Sequence, residues 1–142
     1  MTVLKARYDV VVVGGGPAGL AAAIGAREAG CGEILIVDRE KEMGGILNQC
    51  IHSGFGLHNF KEELTGPEYA DRFLRRVHAE PGIEILPESF ILDISPDLQV
   101  TLMGGTVGLV EIKAGAVVLA MGARERSRGA IRTPGFRPAG VM

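Results

Sequence analysis

Residues 8–23 read YDVVVVGGGPAGLAAA, and this stretch decides the fold. The apolar run Val10 to Val13 reads as a buried strand. It leads into Gly14-x-Gly16-x-x-Gly19 and then into an alanine-rich helix. A strand, a glycine turn and a helix in that order form a cradle for a dinucleotide pyrophosphate. Gly14 permits the tight turn. Gly16 lets the backbone approach the phosphates, where a Cβ would collide with them. Gly19 lets the helix pack closely on the strand. The start of the helix offers free N–H groups and a partial positive charge. Pro17 suits the first turn, where a missing N–H costs nothing.

A GxGxxG alone is a weak signal, and a glycine turn without a ligand is its plain alternative. The flanks strengthen it. A helix over about Ala18 to Ala29 is followed by Glu33-Ile-Leu-Ile-Val-Asp38, a second apolar strand ending in an acid. Asp38 stands 19 residues after Gly19, close to the spacing of about 20 at which a carboxylate grips a dinucleotide's ribose hydroxyls. An acid there repels a 2′-phosphate, which argues against NADP. A solvated strand-end acid is the plain reading of Asp38.

Composition sets the bounds. The 142 residues point to one domain with a sizeable core, and the 46% hydrophobic content fits a buried parallel sheet. The 21 glycines follow no G-X-Y period and fall at turns and in the cradle. A net charge of −2 gives no footprint for nucleic acid. No run reaches membrane-spanning length and residues 1–8 lack a signal-peptide core, so a cytoplasmic location is expected. Cys31 and Cys50 form neither a CxxC pair nor a metal-ligand set.

Further along, periodicity disappears between Arg39 and Gly66, a stretch too long for an idle connection. Helical spacing of Tyr69, Ala70, Phe73, Leu74 and Val77 predicts a helix over about Pro67 to Ala79. Four short strands are expected next, at Ile83 to Leu86, Ser89 to Ile94, Leu98 to Met103 and Val107 to Ile112. Ser95-Pro96-Asp97 and Gly104-Gly105-Thr106 mark turns among them, which suggests an antiparallel meander. A separate apolar strand is expected at Ala116 to Ala120, ending at Met121-Gly122. The stretch from Arg124 to Met142 carries five arginines and no period.

This order of motifs resembles the FAD-binding half of the flavoproteins with two dinucleotide-binding domains, the glutathione reductase-like pyridine nucleotide-disulfide oxidoreductase superfamily. Three features carry the resemblance. They are the fingerprint Gly14 to Gly19, the acid followed by a glycine pair (Asp38, Gly44-Gly45), and the strand Val117 to Met121 ending at Gly122. GGILNQCIHSGFGL and the tail GARERSRGAIRTPGFRPAGVM look like the branch that includes sarcosine oxidase α subunits, dye-linked proline dehydrogenases, opine oxidases and oxidoreductases encoded beside glycerol-3-phosphate enzymes.

The resemblance implies an α/β fold: a Rossmann-like FAD/NAD(P)-binding domain with a central parallel sheet and a three-stranded antiparallel meander, incomplete at the C-terminus. Residues 1–122 would form the first segment of the FAD domain. Residues 123–142 would be an arginine-rich extension leading to an absent second domain. The amides around Gly16, Pro17 and Ala18, with Gly14 and Gly19, would cradle the FAD pyrophosphate. Asp38 would hold the adenosine ribose, with Arg39 near the adenine. Gly44 and Gly45 would let their loop pass close to the cofactor. Phe90 or its neighbours would approach the adenine, and Ala120, Met121 and Gly122 would close the cradle. Many members carry Glu where this chain has Asp38.

Chemistry beyond cofactor binding is less legible. Leu47 and His52 stand where the disulfide reductases carry their redox cysteines, which argues against dithiol chemistry. No catalytic residue is assigned. Cys50 is a candidate flavin-facing thiol, with a buried packing cysteine the favoured reading. His52 and His58, on the same loop, are candidates for proton transfer or substrate contact. His78 is expected on a helix surface. Arg124, Arg126, Arg128, Arg132 and Arg137 read either as a solvated tail or as an interface or anionic-ligand patch.

The function expected is an FAD-dependent oxidoreductase, moving a hydride between flavin and an amine, amino-acid-like or nicotinamide donor. NAD(H) would bind through a domain not present here, and the 142 residues alone would be inactive. One alternative is a non-catalytic dinucleotide-binding fragment or subunit. Another is a plain NAD-binding Rossmann domain. A partner chain or second copy is expected to cover the incomplete sheet. Neither nucleic acid nor a membrane span is expected.

Overall fold

The computed structural model describes residues 3–123, 126–132, 134–136 and 139. Strand β1 (Arg7–Val13) runs into helix α1 (Pro17–Glu28) and returns as β2 (Ile34–Val37). After a 3-10 turn (Gly45–Gln49) come β3 (Ser53–Phe55), α2 (Leu57–Phe60), β4 (Leu64–Thr65) and α3 (Gly66–Ala79). The chain ends its regular structure with β5 (Ile83–Leu86), β6 (Ser89–Ile94), β7 (Gln99–Gly104) and β8 (Gly108–Leu119).

Local chemistry explains these boundaries. Val10 to Val13 are buried on both faces, as a central parallel strand requires. Helix α1 stops because Gly30 takes φ +97°, where a side chain is strained. The Cys31 N–H then bonds the Ala26 carbonyl and the Gly30 N–H bonds the Arg27 carbonyl, which satisfies the last turn as a Schellman motif. Helix α3 starts on a capping box: the Thr65 side chain accepts from the Glu68 N–H, and the Glu68 carboxylate accepts from the Thr65 N–H. The backbone bond from Thr65, then its hydroxyl, holds the Glu68 carboxyl below the usual carboxylate range.

Six strands form one sheet in the order β5-β2-β1-β8-β7-β6. The first three pairings, β5 with β2, β2 with β1 and β1 with β8, are parallel; β8 with β7 and β7 with β6 are antiparallel. Val10, Val12, Ile34 and Ile36 face α1 and α3, with Leu20, Ala23, Ile24, Met43 and Val77. On the other face, Val11, Leu35, Val37 and Leu86 pack with Val100, Leu102 and Ile112 of the meander. The sheet therefore curls so that β6 returns over β2, and the Ser89 N–H bonds the Asp38 carbonyl.

One expectation needs correction. The strands expected at Val107 to Ile112 and Ala116 to Ala120 are a single strand of 12 residues, β8. Its first half pairs with β7 and its second half with β1, and Lys113 faces both Gln99 and Arg7. Gly115, which reads as an interruption, is needed inside the strand: a Cβ there would lie 2.7 Å from the Asp9 carbonyl oxygen. The stretch from Arg39 to Gly66, where periodicity disappears, is made of short elements. It holds the 3-10 turn, the small β3–β4 ladder and α2, whose short elements leave no period to read.

No helix of the described residues is long and apolar enough to cross a membrane. The described residues after Leu119 form neither helix nor strand.

Candidate functional site: a backbone cradle at the end of the parallel strands

Strands β1 and β2 both point their C-terminal ends at the glycine turn. Three of its four glycines lie against the protein's own atoms: Gly14 and Gly19 against backbone that cannot give way, Gly15 against the movable end of the Met43 side chain. A Cβ on Gly14, whose φ is +108°, would lie 2.4 Å from the Ala120 carbonyl oxygen; one on Gly15 would lie 2.2 Å from the Met43 Sδ; one on Gly19 would lie 1.8 Å from the Gly14 carbonyl oxygen. Gly16 differs. It is the N-cap of α1 with φ −74° and ψ −175°, a conformation open to any residue. A Cβ there would meet nothing nearer than the Gly45 Cα at 4.0 Å. Its bareness keeps space open outside the protein.

The loop after β2 is sewn onto this turn. The Gly15 N–H donates to Asp38 Oδ2 at 2.5 Å, and the Glu40 N–H donates to Asp38 Oδ1 at 2.8 Å. The Gly15 carbonyl accepts from the Gly44 N–H at 2.8 Å. Gly45, with φ +55°, comes so near that a Cβ on it would lie 3.1 Å from the Gly16 Cα. Met43, a buried residue that belongs to no sequence motif, lays its thioether over Gly15. Asn48 holds that loop by donating to the Met43 carbonyl.

Helix geometry fixes which amides face outward. Leu20 N–H makes the first intrahelical bond, to the Gly16 carbonyl. Ala18 and Gly19 thus have no partner four residues earlier, and Pro17 has no N–H to give. Pro17 therefore shapes the turn without donating, as its missing N–H requires. Ala120 adjoins the turn, its N–H bonding the Val13 carbonyl. Met121 and Gly122 follow it as exposed residues, and Gly122 takes φ +70°.

The remaining candidates are more scattered. Arg39 is exposed and pairs with Glu40. Phe90 is half exposed at the site end of β6, next to buried Ser89. Leu47 is buried and Cys50 half-buried, so Cys50 is not the buried packing residue expected; its Sγ lies 3.4 Å from the Ile46 carbonyl oxygen. His52 is exposed, with Nδ1 3.0 Å from the Ser53 carbonyl oxygen and its ring 5.4 Å from that of Phe55. Phe55, Tyr69, Phe60 and Phe73 continue the aromatic contacts onto α3. His58 lies exposed on α2 and His78 exposed on α3.

Of the tail arginines, Arg124 and Arg137 lie outside the described residues. Arg128 donates to the Gly135 carbonyl, and Arg126 and Arg132 are exposed. No group of acids, histidines and cysteines among the described residues can hold a metal ion.

A groove of about 520 Å³ runs along α3, lined by Met43, Ala70, Leu74, His78, Ile85 and Pro87 among others. It is mainly apolar. Of the two, only the cradle converges backbone N–H groups and a carboxylate on one point, and ligand recognition needs such convergent polar groups.

Fold and site together define a dinucleotide-binding α/β domain. The chain belongs to the pyridine nucleotide-disulphide oxidoreductase family, whose model matches residues 8–140. It is 30% identical to one of the subunits of opine oxidase from Rhizobium meliloti, over 98% of this chain and 27% of that protein. It is 33% identical to thioredoxin reductase of Peptoclostridium acidaminophilum over 86% of this chain and 36% of that one. Its fold matches the crystal structure of thioredoxin reductase from Streptococcus pyogenes with a TM-score of 0.69 at 23% identity, covering 85% of this chain and 37% of that one. The chain thus spans about a quarter to a third of these proteins.

Proposed function

We propose that this chain is the FAD-binding portion of a flavin-dependent oxidoreductase. The observation that carries the reading is Gly16: a bare backbone at the N-terminus of a 12-residue helix, with no packing partner that requires a glycine. Phosphate oxygens suit that spot because unpaired N–H groups and the helix dipole both favour an anion. Asp38, held at the neighbouring turn, suits ribose hydroxyls, and Arg39 and Phe90 flank the adenine side. The curled meander and the continuous β8 favour FAD over a plain NAD domain.

When bound, FAD supplies a hydride acceptor; the protein binds and orients it. The N–H groups of Gly16, Ala18 and Gly19 would hold the pyrophosphate. The glycine pair Gly44-Gly45 would let its loop lie against the cofactor without side-chain interference. The donor we infer is an amine or amino-acid-like molecule, on the likeness to the opine oxidase of Rhizobium meliloti. Leu47 and His52, in place of paired cysteines, support that reading over dithiol exchange. We place the whole protein in the cytoplasm, with a nicotinamide, a partner chain or a second copy as further participants. We read residues 123–142 as leading away from the dinucleotide-binding unit.

The test is an absorbance spectrum of the purified chain after loading with FAD and removing the excess, with ADP-ribose titrated in parallel by calorimetry. Retained flavin near one equivalent supports FAD. Binding of ADP-ribose without flavin retention favours a dinucleotide-binding subunit. Binding of neither overturns the reading.

A further inference from the structure

The Asp38 side chain is engaged within the protein by two backbone amides. One carboxylate oxygen takes the Gly15 N–H at 2.5 Å and the other takes the Glu40 N–H at 2.8 Å. The Asp38 main chain is held as well: its N–H bonds the Leu86 carbonyl and its carbonyl accepts from Ser89. Gly15 is the peptide that joins the turn to the post-β2 loop, because its own carbonyl accepts from Gly44. We propose that Asp38 is a positioning residue that latches the glycine turn to the glycine-pair loop and so holds the cradle in its binding shape.

A carboxylate has about four acceptor positions. The latch uses two of them, so ribose hydroxyls would bind to the two that remain without releasing either amide. This last step rests on the dinucleotide reading above; the latch itself does not. The length of the side chain matters. An added methylene would carry the carboxylate past the Gly15 and Glu40 amides, so aspartate suits the latch where a longer acid suits reach alone. Asparagine matches the shape but has one acceptor oxygen, so it cannot serve both amides.

Hydrogen exchange of the ligand-free 142-residue chain tests the latch. Glu40 is exposed and no other bond of its amide contributes to the latch. In the wild type, its amide is expected to exchange on the order of tenfold or more slowly than an unbonded loop amide, because its acceptor is charged. Exchange of Glu40 at the unbonded rate overturns the latch, and this needs no variant. Asp38→Asn and Asp38→Glu are each expected to speed exchange at Gly15 or Glu40 by a similar factor. They should also move the Gly15 amide proton upfield, a signature that a general loss of stability does not give.

Unchanged exchange and shifts in both variants overturn the proposal. If ribose contact were the only role, Asp38→Glu would keep ADP-ribose affinity and leave the empty protein unaltered; the latch predicts that affinity falls together with protection. Failure of the wild type to bind ADP-ribose would defeat the proposed function alone, since the exchange data decide the latch separately.

Discussion

The two ends of the parallel sheet are built by opposite means. At the C-terminal end, β1 and β2 deliver a turn made almost wholly of backbone, where glycines remove side chains and one carboxylate ties peptide groups together. At the N-terminal end, side chains do the joining. Lys5 donates to both Glu33 and Glu84, and the buried Tyr8 hydroxyl donates to Glu84 at 2.7 Å. Asp9 accepts from the Gly32 and Glu33 amides in the same region. One end keeps polar groups available to a visitor. The other satisfies its polar groups internally and so stitches β1, β2 and β5 together. A charged cluster at the cradle would compete with the ligand; at the far end it competes with nothing.

The largest effect is expected where the two tasks cannot be separated. Gly19→Ala would drive a methyl into the Gly14 carbonyl, forcing α1 off β1. A loss of about 3 kcal/mol in urea unfolding is expected, with ADP-ribose binding abolished in calorimetry. Wild-type affinity in that variant would show that the close approach of helix and strand is dispensable.

Next in size is Tyr8→Phe, which removes one of the two hydrogen bonds on the Glu84 carboxylate and leaves the Lys5 one in place. It should cost about 2 kcal/mol and leave ADP-ribose affinity within a factor of about two. A large loss of affinity would break the division between the two ends.

The same tyrosine predicts a pH effect. Burial, then the Glu84 hydrogen bond, pushes its hydroxyl up to about 12, whereas an unfolded tyrosine ionises near 10. The folded state therefore holds a proton that the unfolded chain releases. Its contribution is complete below about pH 10 and is lost between about 10 and 12. The melting temperature should fall across that range in the wild type and fall less in Tyr8→Phe.

Glu84 has the opposite sign. Burial works to raise its carboxyl, but the Lys5 and Tyr8 hydrogen bonds outweigh it and hold the group below its ordinary value. That contribution is present above the unfolded value of about 4.3 and is lost as pH falls through the folded one. Glu84→Gln should soften the acid limb below about pH 4, leaving what Asp9 contributes; its carboxyl is lowered by the Glu33 and then the Gly32 amide.

The smallest effect is expected for Phe90→Ala. Phe90 is half exposed, so stability should stay within about 0.5 kcal/mol. Weaker binding of FAD by a factor of about three, measured by fluorescence quenching, would sharpen the boundary of the cradle toward β6.

How much of this is legible depends on the range of the interaction. The β1–α1–β2 unit, α3 and the first meander strands follow from local period and turn residues, and Gly14 to Gly19 and Asp38 follow from spacing within one unit. Strand β8 reads as two strands because Gly115 looks like a break unless Asp9 is known to lie beside it. The loop from Arg39 to Gly66 is opaque because its elements are each shorter than one readable period. Cys50 reads as buried because a cysteine's type says more about average burial than about its loop.

By itself, then, the sequence determined the backbone of the cradle, since strand, glycine turn, helix and acid are neighbours along one short unit. Tertiary structure alone decided that β8 serves two pairings, that Met43 covers Gly15, and that Lys5, Tyr8, Glu33 and Glu84 meet. These contacts join residues as far apart as Arg7 and Lys113, and neither hydrophobic period nor turn chemistry carries information over such distances. Their partners are chosen by which strands end up adjacent in the sheet.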